Sequence, residues 1–286
     1  MKYTFMRFPE GKTKAVTFSY DDACRDDIRL ANTLADYGLK GTFNIPSAWI
    51  AKESGGHNLT EEEIKEHIQG NGHEIATHGQ WHKAMGLVRP IDGIQDVLNC
   101  RLELEKRFGG IIRGMAYSDS GILDWSNQAQ YQSVKHFLKD LDIVYSRTLG
   151  GDNNRFQMPS DWYNWVPTAH HDNPHILEWA KQFTEMDVTT QYDSSRHAKL
   201  FYVWGHAFEF GRNGNWERLT DICEVLAHKD DIWYATNIEI YEYTEAYHSL
   251  VTSADGNRIY NPTRKEIWFE KDKVLYSIKS GETLEV

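Results

Sequence analysis

One pattern limits the fold of this chain more than any other. Short, continuous apolar runs alternate about seven times with amphipathic stretches between residues 14 and 247. Residues 14–20, 41–45, 72–77, 111–117, 143–145, 200–204 and 232–235 read as strands, with a further short strand near Trp165-Val166-Pro167. The intervening helices fall at 25–37, after Thr60-Glu61-Glu62-Glu63, at 91–108, 130–138, 176–183 and 216–226, and after Thr236-Asn237-Ile238-Glu239. Both quoted openings are Thr-x-x-Glu capping boxes. Strands that are apolar throughout belong to a parallel sheet covered on both faces, because a half-wetted sheet would alternate. The pattern predicts an α/β fold: a distorted, incomplete (β/α) barrel of about seven parallel strands, or a doubly wound sheet. The chain has neither G-x-G-x-x-G nor a P-loop, which disfavours nucleotide-binding sheets. The barrel also accounts for polar strand ends, since barrel sites form at the C-terminal ends of strands. Beyond Tyr247 the pattern becomes three short strands. We read 1–247 as the barrel and 248–286 as a small β appendage packed on it.

The first strand carries the most unusual chemistry. Thr17-Phe18-Ser19-Tyr20 runs directly into Asp21-Asp22. A buried, unpaired carboxylate costs several kcal/mol or is forced to protonate, and two neighbouring ones repel unless a cation or water lies between them. His78-Gly79-Gln80-Trp81-His82 follows the strand at 72–77 and offers the partner. One Asp and two His would leave open positions on a metal for water and substrate. The second acid would be free to take a proton from bound water, whose pKa a metal lowers. Among thirteen histidines, HxxxH spacing alone is weak evidence, and a second pair, His171 and His175, has Pro174 inside it. His73-Glu74-Ile75-Ala76-Thr77-His78 has one residue too many for a zincin helix, so His73 reads as a structural histidine.

Composition removes other classes. The net charge of −11 with no basic patch argues against nucleic acid. Aromatic residues at 13%, with ten Trp and fifteen Tyr, suit a groove that stacks on sugar rings. Cys24, Cys100 and Cys223 are unclustered, as buried thiols of a reducing compartment would be. The N-terminus has no signal-peptide apolar region and no run is long enough to span a bilayer. The expectation is a cytoplasmic location for the chain as written, or an extracellular one if a signal has been removed, with no membrane partner and the oligomeric state open.

Three motifs in order resemble the polysaccharide deacetylase family, the NodB-homology domains of carbohydrate esterase family four. Thr17-Phe18-Ser19-Tyr20-Asp21-Asp22-Ala23 is similar to its TFDDG motif with two residues inserted and Ala for the last Gly. Gly72 to His82 resembles its strand entering HxxxH, and Phe201-Tyr202-Val203-Trp204-Gly205-His206 its apolar strand ending in histidine. The resemblance spans residues 14–247. It implies a general base at Asp21, a divalent metal on Asp22, His78 and His82, and a general acid at His206. The metal implied is zinc first, with cobalt, nickel or manganese as alternatives. The third motif is partial: Arg113-Gly114-Met115-Ala116-Tyr117 has displaced the arginine, so Arg113 or Arg147 would orient the base, and a backbone N–H after this strand would hold the oxyanion. Tyr117, Arg113, Arg147, Trp162 (in Asp161-Trp162) and Trp204 are the implied substrate-lining residues.

The activity implied is hydrolytic removal of acetyl groups, N-acetyl before O-acetyl, from a sugar or polysaccharide. Loss of Asp21 or His206 should then lower turnover without unfolding the protein. The altered first and third motifs support an alternative, a degenerate member that binds acetylated glycan without cleaving it. A non-haem iron oxygenase shares the ligand set of two histidines and one carboxylate but usually sits on a different, all-β scaffold.

Overall fold

The computed structural model describes residues 3–119, 122 and 130–286. In chain order the elements are β1 (Thr4–Arg7), β2 (Lys14–Asp21), α1 (Asp27–Asp36), β3 (Gly41–Ile45), α2 (Glu61–Glu63), β4 (Glu74–Thr77), α3 (Pro90–Phe108), β5 (Gly114–Ala116), α4 (Tyr131–Asp140), β6 (Tyr145–Arg147) and β7 (Ala169–His170). They continue as α5 (Ile176–Glu185), β8 (Lys199–Gly205), α6 (Ala207–Asn213), α7 (Glu217–Leu226), β9 (Ile232–Tyr234), α8 (Asn237–His248), β10 (Val251–Thr252), β11 (Arg258–Tyr260), β12 (Ile267–Lys271), β13 (Val274–Ile278) and β14 (Thr283–Glu285).

The main sheet runs β6-β5-β4-β3-β2-β8-β7, with every pairing parallel, and curls into an incomplete barrel. β2 lies at its centre and all eight of its residues are buried, as its unbroken apolar pattern requires. One edge of β2 pairs with β8 along its length. The other is shared, β9 taking Lys14–Val16 and β3 taking Phe18–Asp21. The gap between β6 and β7 is spanned by irregular chain: Trp165 forms a parallel bridge to Arg147, and the Thr168 N–H donates to the Tyr202 carbonyl at 2.8 Å. Because the strands are parallel, the ends of β2, β4, β6 and β8 open on one face, and that face carries every polar strand end noted in the sequence.

Some elements depart from the pattern. The Thr60 capping box forms, with Glu63 N–H donating to Thr60 Oγ1 at 3.2 Å and Thr60 N–H to Glu63 Oε2 at 2.9 Å. After three residues, however, the helix widens into a π-helical turn over Ile64–Gln69. β1 and α6 carry no strong periodicity because they are short. β1 pairs antiparallel with β12 of the C-terminal segment, so the two chain ends share one sheet, β1-β12-β13, beside a second, β10-β11-β14. Met6, Phe8, Leu200, Tyr202, Ile240, Tyr243, Ile267, Phe269 and Ile278 form one continuous apolar cluster beneath these elements. Among the described residues no helix is long and apolar enough to cross a membrane.

Candidate active site

Two adjacent residues on a strand point to opposite faces, so Asp21-Asp22 could not both face one site if β2 simply continued. The backbone prevents this: Asp22 has φ +85° and Ala23 φ +52°, which swings the second carboxylate round to the first. Such left-handed residues are sparsely populated and concentrate at functional sites. Asp21 is buried; its Oδ1 accepts from Asn44 Nδ2 at 2.8 Å and its Oδ2 from the fully buried Arg147 Nη2. Burial raises the Asp21 pKa, but the Arg147 guanidinium, helped by His78 and His206, outweighs it and holds the carboxyl below its usual range.

The His78–His82 segment is a loop, and the two rings converge without a helix. His82 has φ +55° and Gly79 φ +75°. Asp96 on α3 fixes the turn by accepting the Gln80 N–H at 3.0 Å and the Trp81 N–H at 2.9 Å. A Cβ on Gly79 would fall 2.3 Å from Asp96 Oδ2, so close approach and positive φ both demand glycine. His78 Nδ1 donates to the Ala116 carbonyl at 2.8 Å, which leaves Nε2 with its lone pair toward the acids. That Nε2 is 3.8 Å from both Asp21 Oδ2 and Asp22 Oδ1, and His82 Nε2 is 3.4 Å from the same Asp22 oxygen. Burial lowers the His78 pKa against the pull of the two acids and favours the neutral ligand form.

His206 follows β8 and enters from the other side, its Nε2 3.9 Å from Asp21 Oδ2 and from Asp22 Oδ2. Its Nδ1 lies 3.4 Å from Glu209 Oε2. Burial lowers the His206 pKa, but Glu209, Asp21 and Asp22 together raise it above the ordinary histidine value. Trp204 is wedged between the charged parts, with the Arg147 guanidinium carbon 4.6 Å from its ring centroid and the His206 ring 6.0 Å away.

The structure thus brings together Asp21, Asp22, His78, His82, His206, Arg147 and Trp204. It leaves three of the expected residues outside. Arg113 precedes β5, at the opposite end from the site, and its Nη2 pairs with Asp142 at 3.1 Å, so of the two arginines Arg147 reaches the base. Trp162 packs edge-on against Trp165 and Tyr241 and donates to Glu245 on α8 at 3.1 Å, against the apolar cluster that holds Tyr202 and Tyr243 rather than in the site. Tyr117 is buried in the core, its hydroxyl donating to the Tyr163 carbonyl at 2.9 Å. The Tyr117 N–H is also committed, to the Arg147 carbonyl at 2.9 Å, so an oxyanion donor after β5 would have to come from the next residues. His171 and His175 do not converge: the first is buried and the second exposed beside Glu178. His73 is structural, as its sequence context suggested, accepting from Gly41 N–H at 3.1 Å and donating to the Ala31 carbonyl at 2.9 Å. The sequence reading missed Asn44, Asp96, His170 and Glu209. Only Glu209 left a local signal, three residues after His206, the spacing also seen in Thr60/Glu63 and Thr236/Glu239.

Asp22, His78 and His82 suit a divalent metal. One oxygen and two nitrogens lie within 4.8 Å of one another, and Asp22 Oδ1 is buried without a hydrogen-bond partner among the described residues, an expensive arrangement unless a cation satisfies it. The fold and site together define a curled parallel barrel with an acid-and-histidine cluster at the C-terminal ends of its strands.

Residues 8–134, somewhat less than half of the chain, match the family model described as polysaccharide deacetylase. The matched segment holds Asp21, Asp22, His78 and His82; Arg147 and His206 lie beyond it. Among solved structures, a Mycobacterium smegmatis protein described as a polysaccharide deacetylase aligns over 84% of this chain and 93% of its own, with a TM-score of 0.54 and 19% identity. A family 4 acetyl xylan esterase from Clostridium thermocellum, in complex with a cobalt ion, aligns over 81% of this chain and 92% of its own, with a TM-score of 0.47 and 16% identity. The deacetylase PplD from Streptococcus pyogenes, in complex with acetate, matches 46% of this chain, which spans about half of that protein, 54%, with a TM-score of 0.40 and 19% identity. No curated protein matches the chain in sequence.

Proposed function

We propose that this protein is a metal-dependent hydrolase that removes acetyl groups, N-acetyl in preference to O-acetyl, from a polymeric carbohydrate. The observation that carries this reading is geometric: Asp21, held by Arg147 and Asn44, and the His206 Nε2, 3.9 Å from it, stand on either side of one ligand cluster. They form an acid and a base with separated proton affinities, each within reach of a common point. Asp22, His78 and His82 would hold the metal, zinc first, which when bound supplies a Lewis acid and a more acidic water.

Asp21 takes the proton from the water as its oxygen forms a bond to the acetyl carbon. Arg147 keeps Asp21 ionised and fixes Oδ2, while Asn44 fixes Oδ1. His206 gives its Nε2 proton to the departing nitrogen as the C–N bond breaks, leaving acetate and a free amine. Two indoles beside the cluster support a sugar substrate: Trp49 stacks on the His82 ring at 4.9 Å and Trp81, between the two histidines, is 58% exposed.

Acetate release from acetylated chito-oligosaccharides, xylan and peptidoglycan fragments tests the reading, comparing metal-stripped with zinc-reloaded protein. Release should require metal and fall by about 10²–10⁴-fold in His206→Ala. The second reading, a glycan binder without turnover, keeps the support of the altered first and third motifs; it predicts glycan binding, with metal held at His78 and His82, and no acetate from any substrate.

A further inference from the structure

Glu209, on the first turn of α6, is surrounded by three histidines. Its Oε2 accepts the backbone N–H of His206 at 3.1 Å and stands 3.0 Å from His170 Nε2, 3.4 Å from His206 Nδ1 and 3.6 Å from His171 Nε2; the His206 Nδ1 approach is a close ion-pair contact, the nitrogen being buried with no formed hydrogen bond among the described residues. Its other oxygen reaches only Arg212 on the surface, at 3.5 Å. Histidine neighbours drive the Glu209 pKa far below its usual value despite burial, so the carboxylate is anionic.

His170, His171 and Glu209 have the look of a second metal site, since their ligand atoms lie within 4.8 Å of one another. The tautomer of His170 argues against it. Its Nδ1 accepts the Asp172 N–H at 3.1 Å, so the ring proton must sit on Nε2, the atom aimed at Glu209. A metal on that nitrogen would have to displace the proton and leave an imidazolate. His171 makes no hydrogen bond through either ring nitrogen among the described residues, and burial lowers its pKa to about 3. It acts as a neutral wall, stacked on Phe210 at 4.0 Å, and Gly205 admits it, since a Cβ there would lie 2.0 Å from its Nδ1.

We infer that His170 and Glu209 are positioning residues that form a His170–Glu209–His206 relay, fixing His206 with its Nδ1 toward the carboxylate and its Nε2 toward the substrate. This rests on the assignment of His206 as general acid. His170 is itself held from behind by the Asp172 N–H and edge-on by Trp204 at 4.8 Å, so the carboxylate is clamped between two fixed rings. The Nδ1 proton stays between His206 and Glu209 throughout, and only the Nε2 proton moves to the leaving group.

The test compares an N-acetylated chito-oligosaccharide, whose amine must be protonated to leave, with 4-nitrophenyl acetate, whose phenolate leaves unaided. Zinc-loaded Glu209→Ala should lose about 10²-fold in kcat on the oligosaccharide with KM within about twofold, and the ratio of amide to aryl-ester turnover should fall at least about tenfold. His170→Leu should lower that ratio by roughly tenfold, and His170→Gln, which keeps an N–H donor, should restore most of it. Equal losses on both substrates would overturn the relay, as would wild-type ratios in His170→Leu. So would two metal ions per wild-type chain with one lost in His170→Leu. Imidazole nitrogen NMR of the metal-free protein decides the point even if no substrate is turned over. A His206 Nδ1–H signal lost in Glu209→Ala supports the relay, and an unchanged signal refutes it.

Discussion

Asp21 and Arg147 are buried together as an ion pair. The sequence led us to expect that loss of Asp21 would lower turnover and leave the fold intact. The pair changes that expectation, because Asp21→Asn strands a guanidinium with no exposure, and breaking such a pair from one side typically costs about 3–5 kcal/mol. Denaturant unfolding of the metal-free protein should show that loss for Asp21→Asn and recover much of it in Asp21→Asn/Arg147→Met, which removes both charges. Asp96 touches neither metal nor substrate, yet it sets the turn that carries His82. Asp96→Ala should weaken zinc binding by about 10–100-fold in a competition titration while His78, held by Ala116, keeps its place. Gly79→Ala should act in the same direction.

At the scale of elements, the site is assembled by short segments that periodicity describes poorly. α6 has seven residues and begins immediately after His206, so it delivers Glu209 to the site while Ala207 and Phe210 pack into the core. β4 and α8 are joined by one carboxylate. Glu74 accepts the Tyr145 hydroxyl at 2.6 Å, the Thr42 hydroxyl at 2.9 Å and the Ile238 N–H at 2.8 Å, tying β4 to β6, β3 and the start of α8. Burial pushes its pKa up to about 7, from an ordinary 4.5. The folded protein therefore binds this proton more tightly than the unfolded chain, so the stability it confers is full below pH 4.5 and is lost as pH rises to about 7. Chemical denaturation across that range should show the decline, and Glu74→Gln should flatten it. Removing the hydroxyl that caps α8, in Thr236→Ala, should cost about 1 kcal/mol in the same assay.

At the scale of the whole molecule, the two ends of the chain close over the barrel from beneath. Glu270 on β12 accepts Arg7 Nη2 at 2.8 Å and two bonds from Arg196, each at 2.7 Å, and all three side chains are buried. The cluster joins the first strand, the approach to β8 and the C-terminal segment. Glu270→Ala leaves two guanidiniums unpaired in the interior and should destabilise the protein by about 3–5 kcal/mol, with loss of Tm to match. Truncation after residue 247 should do more, since it strips β12 from β1 and uncovers the cluster around Phe8 and Tyr243. We expect that fragment to be insoluble or to lack a cooperative melting transition.

Features that are local or periodic could be read from the residues alone. Strands buried on both faces must be continuously apolar, so β2, β3 and β8 could be placed from their residues, and parallel strands must present their ends on one side. The capping boxes at Thr60 and Thr236 were legible because both partners lie within four residues. The cluster of Asp21, Asp22, His78, His82 and His206 was legible as a set of strand ends. The tertiary structure decided whatever joins residues distant in sequence or depends on backbone sign. Asp22 joins Asp21 through a positive φ, and Arg147 rather than Arg113 reaches the base because Arg147 ends β6 on the site face whereas Arg113 precedes β5 at the opposite end. Tyr117 spends its N–H on Arg147, and His170 finds Glu209 because β7 ends beside α6. Periodicity records which face a residue occupies, whereas hydrogen-bond partners a hundred residues away are fixed only when the sheet has curled.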